Sequence, residues 1–176
     1  MSVRNLSRVA LFAALMAICS WVSIPAPVPF TLQTFAVFLA PALLGGKMGT
    51  IAVGTYLLLG AVGLPVFAGF SGGIGVLLGA TGGYLLGFLL TTLVVWLAEI
   101  ALGTSQPVFL ASALVGQGLC YLFGSVWYAL GYAGGTAGLP AVLSTCVIPF
   151  LLPDTAKLIL AWALRRRLAP VLAKSR

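Results

Sequence analysis

The chain has 176 residues, of which 61% are hydrophobic and only 6% charged. A soluble domain carries about 25% charged residues, so that class is excluded. The net charge of +7 comes from nine Lys and Arg against two acids, with no His, which removes the commonest general base and metal ligand.

Apolar runs recur along the whole sequence, the pattern of a polytopic helical membrane protein with no soluble domain appended. The expected fold is all-α, a single domain over 1–176 with six membrane-spanning helices at about 6–24, 32–46, 48–64, 82–102, 108–130 and 143–164. The first run starts with Arg4 and Arg8, but "IPAPVPFTLQTF" is a poor cleavage site, so it is expected to stay as a span. Within it Ala10, Ala13, Ala14 and Ala17 form overlapping small-xxx-small pairs that let another helix approach closely. Spacing alone does not say whether that helix is internal or belongs to a partner.

"IPAPVPF" (24–30) breaks the first run from the second, because prolines cannot occupy a helix interior. "GGK" (45–47) turns the chain between the second and third runs, both short against the ~20 residues of a spanning helix. The glycine-rich stretch 63–83 follows, and backbone without helical hydrogen bonds is tolerated at membrane depth only around protein or a watery cavity. It is therefore expected to fold over such a cavity. Its "GGIGVLLGATGGY" lacks the GK[ST] and preceding strand of a phosphate loop. Glu99, at the end of the fourth run, reads as a solvated helix end, and "GYAGGTAGLP" (131–140) leads to the sixth. Cys19, Cys120 and Cys146 are isolated and odd in number, which fits buried thiols and neither a zinc site nor a disulfide framework.

With the N-terminus inside, Arg4, Arg8, Lys47, Arg165, Arg166, Arg167, Lys174 and Arg176 all fall on the cytoplasmic side. Both termini are thus expected to be cytoplasmic, and this distribution favours a membrane over nucleic acid. The exception is Lys157, three residues after Asp154 in the last run. At 1.5 Å per residue the two stand about 12 and 16 Å from the arginine cluster, inside a hydrocarbon layer ~30 Å thick. Each such charge costs about 2.5–3.5 kcal/mol. Their spacing puts them on one helix face, and Pro153 suggests a helix start or kink beside them. A self-satisfied ion pair that only sets packing is one reading; a binding site for a ligand with hydrogen-bond donors and an anionic group is the favoured one. Gln33, Thr34, Ser71, Thr81, Tyr84, Gln117 and Tyr121 are further polar groups that could line a pocket, and Phe30, Phe67, Phe70 and Trp127 could wall it.

"PVPFTLQTF", "LLLGAVGLPVFAGFSGGIGVLLGATGGYLLGF" and "PFLLPDTAKLILA" closely resemble the BioY family, the biotin-specific substrate-binding subunits of energy-coupling factor (ECF) transporters, over about 6–168. The resemblance implies a multi-pass subunit of the bacterial cell membrane that captures biotin from outside. It implies no cofactor or enzymatic activity of its own, ATP being hydrolysed by two partner ATPases coupled through a transmembrane scaffold that meets the small residues of the first helix. By position, Asp154 and Lys157 would form the polar clasp, Ser71 and Tyr84 would assist, and "PVPFTLQ", with Phe30 and Gln33 and followed by Thr34, would belong to the lid. The chain departs from some members of the family at Ser71, where they carry an amide, and at Leu85, where they carry an arginine, so Lys157 would hold the ligand carboxylate with less help. The competing reading is a solitary proton- or ion-coupled carrier of a small organic anion, but one buried acid and no evident inverted repeat give it little support. A membrane enzyme lacks the usual acid–base or metal set.

Overall fold

The protein is described from a computed structural model over residues 2–26, 28–132 and 138–174. The fold is α-helical. Helix α1 (Val3–Trp21) begins at Ser2, whose hydroxyl accepts the Asn5 N–H at 3.4 Å, and buries Val9, Phe12 and Met16. The proline-rich connection then closes on itself instead of extending the helix. Two short strands, β1 (Ser23–Ile24) and β2 (Phe30–Thr31), pair antiparallel with Ser23 opposite Thr31.

Helices α2 (Gln33–Leu44) and α3 (Gly46–Ala61) follow, separated by Gly45 alone. Gly45 takes a φ of +84° and donates its N–H to Pro41 O at 3.0 Å, a left-handed turn that suits glycine. The glycine-rich stretch holds a 3₁₀ turn (Ala68–Phe70) and the one-turn helix α4 (Ile74–Leu77). It is stitched down at several points: Gly73 N–H to Gly60 O at 2.7 Å, Trp21 Nε1–H to Pro65 O at 2.9 Å and Trp127 Nε1–H to Gly79 O at 3.0 Å.

Helices α5 (Gly82–Leu102) and α6 (Gln106–Tyr132) pack along their length. Lipid supplies no hydrophobic drive between helices, so close backbone approach and interhelical hydrogen bonds carry this contact. A Cβ at Gly116 would sit 2.8 Å from Thr91 Cα, and the Thr91 hydroxyl donates to Gly116 O at 3.1 Å. Helices α7 (Leu139–Cys146) and α8 (Ile148–Lys174) complete the chain, bent by 42° at Val147.

By length and apolarity α1, α5 and α6 can each cross a bilayer, and the bent α7–α8 pair meets the same test when its two helices are taken together. Helices α2 and α3, with 12 and 16 residues, reach about 18 and 24 Å and are shorter than a full crossing. Leu97, Ile100 and Leu152 point outward, the exposure pattern of a surface that meets lipid.

Three expectations need correction. Pro153 neither starts nor bends a helix: α8 starts at Ile148, and the break falls at Val147, whose φ of −123° is non-helical. Glu99 is not a solvated helix end. Its side chain is 10% exposed, its Oε2 accepts the Gly46 N–H at 2.6 Å, and Arg165 Nη1 lies 3.8 Å from Oε1. The alanine pattern splits, since Ala13 and Ala17 are buried in the chain's own core whereas Ala10 and Ala14 are exposed. The expected connection at 131–140 lies partly outside the described residues, as do Pro27 of the lid segment and Arg176.

Gly116→Val places methyl groups where the α5 backbone already stands. It should destabilise the detergent-solubilised protein by at least about 1–3 kcal/mol, read as a lowered Tm, while a valine at the exposed Gly118 should not.

Candidate functional site

Helix α8 presents Asp154 and Lys157 on one face, about two and three turns past the Val147 break, both more than nine-tenths buried. Lys157 Nζ lies 2.8 Å from Asp154 Oδ1. The pair is not alone. The Thr34 hydroxyl donates to Oδ1 at 2.8 Å, while Tyr121 OH at 2.7 Å and Gln117 Nε2 at 3.3 Å donate to Oδ2. Lys157 also donates to Thr31 O at 2.6 Å and Thr34 Oγ1 at 2.9 Å, and its Nζ lies 4.7 Å from the Phe30 ring centroid. All three ammonium donors have acceptors, and both carboxylate oxygens accept twice. These contacts bring β2, α2, α6 and α8 to one point.

The pair opens on a cavity of about 190 Å³. Its walls come from the 28–34 segment, the glycine-rich connection, α5, α6, α7 and α8. Gln33, Thr34, Ser71, Thr81, Tyr84, Gln117 and Tyr121, all expected as pocket residues, line it together with Asp154 and Lys157. Spread over 124 positions of sequence from Gln33 to Lys157 (157 − 33 = 124), they are brought together by the fold alone. Several are held by their own partners. Gln33 Nε2 donates to Tyr56 OH at 2.8 Å, Ser71 to Ala68 O at 2.8 Å, and Tyr84 OH pairs with Ser125 Oγ at 3.1 Å. Gln117 Oε1 has no partner. The Asp154 carboxylate decides that amide's orientation, because only the NH₂ end can face it without setting two acceptors together.

The apolar walls differ from expectation. Phe67 lines the cavity, but Phe30 lies beneath the Lys157 ammonium and packs at a tilt against Phe150, 5.6 Å between centroids. Phe70 is turned outward against Trp21, and Trp127 holds the loop at Gly79. Phe88, Phe150, Cys120 and Cys146 take their place in the lining. Phe88 follows Tyr84 by four positions and Phe150 precedes Asp154 by four, so helical spacing from the polar residues could have found both. Nothing in the sequence points to the backbone carbonyl of Thr31. A second, smaller cavity shares Gln117, Tyr121 and Asp154 with the first and is otherwise lined by residues such as Phe38, Leu114 and Leu151. Among the described residues no cluster suited to a metal ion occurs.

Residues 1–174 match the model of the BioY family. The "Biotin transporter BioY" of Thermotoga maritima is 45% identical over 168 residues, covering 94% of this chain and 96% of that protein. The "Probable biotin transporter BioY" of Pyrococcus horikoshii is 40% identical over 169 residues, with 96% and 98% covered. A crystal structure of the S-component for biotin from an ECF-type ABC transporter superimposes with a TM-score of 0.80 at 31% identity, covering 96% of this chain and 92% of that one. These relatives are transporters and a transporter component, not enzymes.

Removing one member of a buried pair strands the other's charge, whereas replacing both with apolar groups is close to neutral. Lys157→Met should therefore lower stability by about 3–5 kcal/mol, and Asp154→Leu/Lys157→Met should recover most of that loss in thermal unfolding of the solubilised protein.

Proposed function

The chain belongs to the BioY family, and we propose on that footing that it is the biotin-capturing membrane subunit of an ECF-type uptake transporter. The observation that carries the reading is the cavity lined by a buried lysine and carboxylate from one helix face. Biotin has a carboxylate tail, a ureido ring with two N–H donors and a carbonyl, and an apolar thioether ring. The lining offers a counterpart for each. Lys157 can exchange its bond to Asp154 for one to the ligand carboxylate, and Gln117 Oε1 is a free acceptor for an N–H. Phe67, Phe88 and Phe150 can enclose the apolar ring. Asp154, already accepting four bonds, chiefly holds Lys157 and the amide of Gln117 in place.

In this reading the protein is a single domain with six helices at the bacterial cell membrane, α2 and α3 making two short crossings in a locally thin region. Both termini are cytoplasmic, and the 25–31 and 63–81 connections face outward over the cavity as its lid. Ligand entering from outside passes between them. Lys157 ties that lid to the site directly, since its bond to Thr31 O reaches the strand beside the proline-rich turn. The exposed Ala10 and Ala14 on α1 form the face against which the transmembrane scaffold packs, while Ala13 and Ala17 remain internal. Energy for release inward comes from two ATPase subunits joined through that scaffold.

Calorimetry on the solubilised chain should register tight biotin binding. The Asp154→Leu/Lys157→Met variant should bind at least about thirtyfold more weakly, from the ~2 kcal/mol lost with a buried charge contact. Unchanged affinity would remove Lys157 from the site. In reconstituted vesicles, biotin uptake should stop when the partner ATPases are left out; uptake that follows a proton gradient without them would favour the solitary carrier.

A further inference from the structure

The charges around the cavity balance before any ligand arrives. Among the described lining residues Lys157 is the cation and Asp154 the anion, 2.8 Å apart. The other groups that could ionise there are Tyr84 on α5, Cys120 and Tyr121 on α6 and Cys146 on α7, thiols and phenols that carry no charge at neutral pH. Helix α2 and strand β2 contribute Gln33, Thr34 and Thr31, which do not titrate in this range, and the glycine-rich connection contributes Ser71 and Thr81. Arg165, eleven residues beyond Asp154 on α8, and Glu99, near the end of α5, are occupied with each other and with Thr104 O and the Gly46 N–H.

An incoming carboxylate therefore meets a site whose cation is already neutralised. Lys157 cannot serve two anions without leaving one net negative charge in a buried, lipid-surrounded space, where no described cation remains to offset it. We infer that the Asp154–Lys157 pair takes up a proton from solvent as it receives an anionic ligand. Asp154 then stands as the neutral acid, and Lys157 turns its ammonium from Asp154 Oδ1 to the ligand. The site's net charge is zero before binding, from one cation and one anion, and zero after it, from the lysine and the ligand. The four donors around Asp154 make the exchange feasible: Thr34 and Tyr121 carry rotatable hydroxyls that can pass from donating to accepting when the acid carries a proton. The inference rests on the biotin reading and supplies its proton stoichiometry.

Titration calorimetry on the intact solubilised chain tests it, with biotin injected at one pH in phosphate and in Tris, whose ionisation enthalpies differ widely. The expected result is a buffer-dependent enthalpy corresponding to uptake of about one proton per ligand, and a Kd that rises with pH by up to about tenfold per unit. Biotinamide, the uncharged analogue, should bind with the same enthalpy in both buffers. Asp154→Asn, which fixes the neutral form, should bind biotin without proton uptake. Equal biotin enthalpies in the two buffers, with binding intact, would overturn the inference and leave the biotin reading standing. So would uptake that persists in Asp154→Asn, which would put the proton on the ligand, or affinity that follows sodium at fixed pH. Absence of biotin binding in equilibrium dialysis would overturn both. Should the Asn variant fail to fold, infrared difference spectroscopy of bound biotin labelled with 13C at its carboxyl decides instead, an ionised ligand carboxylate supporting the inference and a protonated one overturning it.

Discussion

The architecture converges on the Asp154 carboxylate. Two oxygens in the middle of an apolar bundle accept four bonds, from Thr34 on α2, Gln117 and Tyr121 on α6, and Lys157 on α8 itself. A carboxylate in such surroundings persists only when paired and hydrogen-bonded. The constraint acts in both directions. The helices must bring those donors to one point, and the donors hold α6 and α8, which otherwise make few direct contacts, on either side of a cavity.

Lys157 extends this network to the periphery. Its bond to Thr31 O reaches across 126 positions to the strand that closes the proline-rich connection. The glycine-rich connection is tied instead through side chains of its neighbours, Trp21 and Trp127, to its own carbonyls. The two connections that contribute to the cavity wall are thus held by different means, one from within the charged cluster and one from the rim.

A second buried pair, Glu99 with Arg165, lies toward the other end of α8 and has a different character. Its oxygens and nitrogens bind backbone groups, Gly46 N–H and Thr104 O, with Arg165 stacked 4.6 Å from the Phe109 ring centroid. Neither residue lines the cavity. It joins the start of α3, the end of α5 and α8, a packing role that contrasts with the cavity-lining pair. Burial of a charge therefore does not by itself identify a ligand site; the difference lies in whether the charge faces empty space.

Composition and local pattern determined a good deal. Hydrophobic runs marked α1, α2, α3, α5 and α6 to within a few residues, because burial in lipid demands apolar sequence with internally satisfied backbone, whereas the expected 143–164 run is broken at Val147 and continues to Lys174. Proline and glycine marked the breaks up to α6 but not the one at Val147, and the rarity of charge made Asp154 and Lys157 stand out, with Gln33, Thr34, Ser71, Tyr84, Gln117 and Tyr121 legible as polar exceptions. Tertiary structure alone decided which exceptions meet. Ser71 and Gln117 line one cavity only through the path of the chain, Phe70 faces outward while Phe67 faces in, and Ala13 is core while Ala14 is surface. It also decided that the intramembrane acid is saturated with donors, since one helix can supply its own lysine but no sequence spacing states what three other elements bring to the same oxygens.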